Sequence, residues 1–97
     1  MKINFNQPFK DFRGDDMRVN GKLIMIANEV GRTLYNAGAN NSITSDEKYK
    51  AYKICTRMAM NNSEIDIDSE EATLILRLCA DEMTAGAYGQ IKDLIEK

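Results

Sequence analysis

The side chains best placed to do chemistry in this 97-residue chain are carboxylates. Glu64, Asp66, Asp68, Glu70 and Glu71 crowd into the stretch EIDIDSEE. Carboxylates this close can share a proton as an acid–base pair or chelate a divalent cation. From Asp66 the stretch opens like a calcium loop, D-x-D-x-E. The pattern fails where the geometry is most demanding: Glu71 holds the sharp-turn glycine position, and Arg77 holds the twelfth position, where a bidentate Glu belongs. Asp68 also has a better use as a helix cap. The cluster is therefore expected to be a solvated acidic rim, with Asp66 and Glu70 available to dock a basic partner or to imitate phosphates.

Other reactive constellations are missing. The chain has no histidine, so it lacks the side chain that titrates near neutral pH. It carries no GxSxG, Walker loop or GxGxxG. Cys55 and Cys79 stand without a CxxC pattern and cannot supply the four ligands of a structural zinc. They are expected to be reduced thiols that pack as small hydrophobes. No metal, cofactor or catalytic residue is expected, and the chain reads as a non-enzyme.

A second constellation is basic. Lys50, Lys53 and Arg57 follow i, i+3, i+7, with Lys48 nearby, and would share one face of a helix. Such a stripe can contact phosphates, and Tyr49 and Tyr52 beside it can stack bases. The competing reading makes the cations a solvated polar face and the tyrosines core. The net charge of −2 favours the competing reading, so nucleic acid is the alternative partner rather than the leading one. Charge is nonetheless uneven. Residues 1–57 hold ten Lys/Arg against six Asp/Glu, while residues 58–97 hold three against nine. A two-signed surface attracts its own copies or a charged partner.

The elements that must position these groups follow from periodicity. Lys2 to Asn6 alternates as a half-buried strand, and Pro8, which cannot donate to a ladder, ends it or lies on an edge. Phe9 and Phe12 are expected to plug the core. Asn20-Gly21 suits a type I′ turn, which pairs Met17–Val19 with Lys22–Ile24. The hairpin is expected to hand over at about Met25 to a helix capped by Asn28 and running to Ala37, with Gly38 as its stop. A helix already begun at Leu23 is the other reading. Thr44 and Glu47 form a capping box for a second helix reaching about Met60, with Tyr49, Tyr52, Cys55, Met58 and Ala59 turned inward. Glu64 to Asp68 alternates again, with Ile65 and Ile67 on one side, and should pair with the N-terminal strand or the hairpin.

Asp68 and Glu71 cap a third helix. Its face of Ala72, Ile75, Leu76, Cys79 and Met83 is widened by Leu74 and Leu78. So much apolar girth means either a central helix or a shared interface. Leu74 and Leu78, with Glu70 and Asp66, are the expected protein-contact surface, and a homodimer is one way to cover it. A final helix from about Ala87 turns Tyr88, Ile91, Leu94 and Ile95 inward. The fold class is α+β: a small antiparallel sheet of the N-terminal strand and hairpin, packed by about four helices. One domain over 1–97 suits a chain that buries roughly 60–65% of its unfolded surface. The longest apolar run, Leu23 to Ala27, is far short of the roughly 20 residues of a membrane span. With no apolar leader in MKINFNQPFKDF, a cytoplasmic location is expected.

The succession of motifs also resembles a known group. The Asn20-Gly21-Lys22 turn precedes an apolar segment; DEKYKAYKICTRM spans Asp46 to Met58; IDIDSEEATLILRLC spans Ile65 to Cys79; GQIKDLIE closes the chain at Gly89 to Glu96. This order is similar to small accessory proteins of tailed bacteriophages and prophages. The resemblance implies a phage or prophage origin and a protein that binds a phage or host protein. It carries no site residue with it.

Overall fold

The computed structural model describes residues 1–96. Four strands and four helices follow one another: β1 (Lys2–Asn4), β2 (Arg18–Val19), β3 (Lys22–Leu23), α1 (Ile26–Tyr35), α2 (Ser45–Met60), β4 (Glu64–Asp66), α3 (Ser69–Glu82) and α4 (Ala85–Glu96). The class is α+β, as the periodicity predicts.

The strands form two separate two-stranded antiparallel ribbons rather than one sheet. β1 pairs with β4, with Lys2 opposite Asp66, Ile3 opposite Ile65 and Asn4 opposite Glu64. Both isoleucines are buried and the acids face outward, as alternation requires. The hairpin pairs only its own strands, Arg18 with Leu23 and Val19 with Lys22. Asn20 and Gly21 have φ of 52° and 79°, the signature of a type I′ turn. At the open end of the hairpin, Pro8 to Lys10 bonds to both arms through Pro8–Met25 and Lys10–Asp16 bridges, with the Phe9 N–H donating to the Ile24 carbonyl and the Phe9 carbonyl accepting from the Met17 N–H.

α1 begins at Ile26, and no side chain caps it. Asn28 therefore lies inside the first turn and is not the expected cap. The physical reason is that the backbone already supplies a partner: the Ile26 N–H donates to the Gln7 carbonyl at 2.8 Å. The helix stops at Tyr35, two residues short of the expected Ala37, and Gly38 follows with φ +96°. α2 and α3 both carry complete capping boxes, Thr44 with Glu47 and Asp68 with Glu71. α4 starts at Ala85, two residues earlier than expected, and Thr84 Oγ1 accepts from the Ala87 N–H at 3.3 Å.

α3 is the hub, packing against α1, α2 and α4. Three helical neighbours explain its apolar girth. Leu74 and Leu78 are buried, Leu78 to 1% exposure. The expected interface through these two leucines is therefore corrected: they are core, and the surplus they represent is covered within the chain. α2 is also rotated from its expected setting. It buries Ala51, Ile54 and Met58, and half-buries Cys55, while Tyr49, Tyr52 and Ala59 face solvent. The stripe at 51, 54 and 58 satisfies the same helical spacing and leaves no phenol hydroxyl to satisfy in the core. Phe9 joins the core, but Phe12 is 94% exposed on the Asp11–Gly14 turn rather than plugging it.

Candidate functional site

The acidic and basic constellations of the sequence meet each other. α2 and α3 lie side by side, each started by a capping box that fixes where its first turn points. Lys50 Nζ donates to Glu70 at 2.9 Å. Arg57 grips Glu71 with both terminal nitrogens, at 2.7 and 3.1 Å, and its Nη2 also donates to the Asp66 carbonyl at 2.8 Å. Arg77 pairs back to Glu47. The guanidinium bonds hold the Glu71 carboxyl below its ordinary range against the opposing cost of burial, and they push the Arg57 pKa up. The Glu70 carboxylate likewise raises the Lys50 pKa.

These pairs decide what the predicted residues can do. Two members of the basic stripe, Lys50 and Arg57, are tied to α3, and only Lys53 points elsewhere. The phosphate-binding face expected of the three together is thereby broken up. On the acidic side Glu70 and Glu71 are neutralised and Asp68 is occupied as a cap. Asp66 is exposed, but its carbonyl is held by Arg57. Among the described residues no group of three or more His, Cys, Asp or Glu side chains is arranged to hold a metal ion. The seam of ion pairs acts as a clamp between α2, β4 and α3.

The cysteines are free. Burial pushes the Cys79 thiol up to about 12 and raises the half-buried Cys55 thiol as well. Both are poor nucleophiles at neutral pH.

The most distinctive surface lies on the α1–α2 side. Tyr35, Tyr49 and Tyr52 are 68%, 63% and 48% exposed and pack on one another. The rings of Tyr49 and Tyr52 stack with centroids 6.3 Å apart, and Tyr35 leans on Tyr52 at 6.4 Å. The Lys53 ammonium lies 5.9 Å from the Tyr49 ring centre. Tyr35 also borders a shallow groove of about 450 Å³, whose walls include Ala27, Gly31, Cys55, Met58 and Ala59. A Cβ added at Gly31 would meet nothing within 4 Å, so the floor is open there. Sequence reasoning missed this site because it placed Tyr49 and Tyr52 inward. The signal that could have found it was the alternative apolar stripe at Ala51, Ile54 and Met58, which leaves the tyrosines facing out.

A polar depression of about 470 Å³ lies between the end of α1 and the α3–α4 junction, next to Glu82 and Thr84. Its one cation, Arg32, pairs with Glu29 of its own helix.

No protein-family model, curated protein or solved structure matches the chain. Among the described residues no helix is long and apolar enough to cross a membrane.

Proposed function

We propose that the chain is a non-catalytic protein-interaction module that binds a phage or host protein through its tyrosine face. The observation that carries this reading is the cluster of Tyr35, Tyr49 and Tyr52, stacked on one another yet largely exposed. Tyrosine offers a large amphipathic contact area with few torsions to freeze, and it is enriched where partners bind. Three such rings held against each other are already ordered, so docking costs little further side-chain entropy. The non-catalytic part is supported by the titratable groups: the perturbed carboxylates, Glu47 and Glu71, owe their lowered values to cap hydrogen bonds and arginine partners. A phage or prophage accessory role rests on the resemblance in motif order. A cytoplasmic setting is supported by the two free thiols.

The test is affinity capture from a bacterial lysate with the wild-type chain and with Tyr35→Ala/Tyr52→Ala, each first shown to be folded by circular dichroism. The reading expects a protein retained by the wild type and lost with the variant. Identical captures from both would overturn it. Gel-shift titration at two salt concentrations addresses the alternative of nucleic-acid binding through Lys50, Lys53 and Arg57, which predicts salt-sensitive binding weakened by Lys53→Ala.

A further inference from the structure

We infer that the tyrosine face is shaped for an acidic protein segment carrying one apolar anchor, an inference that rests on the interaction reading above. The charge pattern is the first argument. Lys50 and Arg57 of α2 are tied to α3, but Lys48 and Lys53, which flank Tyr49 and Tyr52 along the helix, form no ion pair among the described residues. The Lys48 side chain crosses to the turn after α1, where its Cε would lie 2.7 Å from a Cβ placed on Gly38. On α1 and α2, Glu29 is taken by Arg32 and Glu47 by Arg77, which leaves Asp46 in the first turn of α2. One ammonium over the Tyr49 ring, and a second unpaired lysine one residue before Tyr49, favour carboxylates; none of the three hydroxyls has a hydrogen-bond partner among the described residues, so each can donate to one.

The same geometry disfavours the other occupants. Nucleobases stack on open ring faces. Here the Tyr49 ring has Tyr52 stacked beside it and Lys53 over it, and Tyr52 is also met by Tyr35. A pair of lysines is a short run for a phosphate backbone, whose hold grows with each cation engaged. In a twofold pairing of two copies the lysines of both would crowd the same face and repel. The groove beside Tyr35 supplies the anchor site. Ala27, Gly31 and Ala59 keep its walls low, and about 450 Å³ is room for a leucine or an aromatic side chain.

The experiment is selection of a displayed library of random 16-residue peptides on the folded full chain. The expected winners carry net negative charge and an aromatic or aliphatic residue. A synthetic winner should lose about 30-fold in affinity on Tyr52→Ala, the size of a central aromatic contact. It should lose about fivefold on Lys48→Ala/Lys53→Ala at low salt, and bind poorly to Gly31→Leu, which fills the groove. Lys92→Ala on α4 should leave affinity unchanged. Winners that are basic or uncharged yet lost on Tyr52→Ala would overturn the acidic occupant while keeping the tyrosine face. Winners indifferent to Tyr52→Ala, or no enrichment at all, would overturn both. Tyr52-dependent gel shift of a 20-nucleotide oligothymidine would also overturn the inference.

Discussion

Glu71→Gln keeps the size of one side chain and removes a single charge, yet it should loosen three elements. The carboxylate accepts from Arg57 at 2.7 and 3.1 Å and from the Asp68 N–H at 3.0 Å, and its side chain is only 13% exposed. A glutamine has one acceptor oxygen, and its amide nitrogen would face a guanidinium that also donates. At least one Arg57 bond is lost, and those that remain lose their charge assistance. A hydrogen bond to a charged group contributes about 1.5–3 kcal/mol, and a cap about 1 kcal/mol. Part of the cap survives through the remaining oxygen, so the net loss should be about 2 kcal/mol. For a domain of this length that lowers Tm by roughly 10 °C.

The pH dependence follows from the same pair. The folded-state pKa of Glu71 lies below its ordinary value of 4.5 because Arg57 stabilises the ionised form. A group with a depressed folded value stabilises fully above its unfolded pKa, and that stability is lost as pH falls through the folded pKa. Urea unfolding followed by far-UV circular dichroism should show the full wild-type advantage at pH 7 and a much smaller one at pH 3. A cycle with Arg57→Gln should return a coupling of about 1 kcal/mol or more. A loss below about 0.5 kcal/mol at pH 7, or one unchanged at pH 3, refutes the clamp.

Leu78→Ala, at the centre of α3, should cost about 2–5 kcal/mol in urea unfolding, whereas Tyr52→Ala should cost under about 1 kcal/mol. Comparable losses would mean that the burial pattern of α2 is wrong. Maleimide labelling at pH 7.5 should modify Cys55 slowly and Cys79 only on global unfolding, read by mass spectrometry with and without urea. Gly21→Val forces a β-branched residue to φ near +79°, and should lower stability by about 1–3 kcal/mol with loss of the hairpin's amide protection.

Much of this fold is legible in the chain because its strongest signals are local. The Asn20-Gly21 turn, the Thr44–Glu47 and Asp68–Glu71 capping boxes and the alternation around Ile65 and Ile67 each specify a conformation within a few residues, and each stands where the pattern puts it. The choices that needed a partner distant in the chain were not legible. The start of α1 depends on the Gln7 carbonyl, 19 residues upstream of the Ile26 N–H that it caps. The burial of Leu74 and Leu78 depends on α3 having three helical neighbours, which no single-helix moment contains.

The candidate site divides the same way. Sequence by itself determined the residue types: carboxylates, lysines and tyrosines in close succession, and no histidine. Only the tertiary structure decided how they are used. α2 offers two apolar stripes of equal helical spacing, and packing against α1 and α3 selects Ala51, Ile54 and Met58 for the core. That choice turns Tyr49 and Tyr52 outward onto Tyr35 of another helix, and it brings Lys50 and Arg57 against the acids of α3. Periodicity specifies which residues share a face. Which face is hidden is a property of the neighbours, because burial is a contact between elements and not within one.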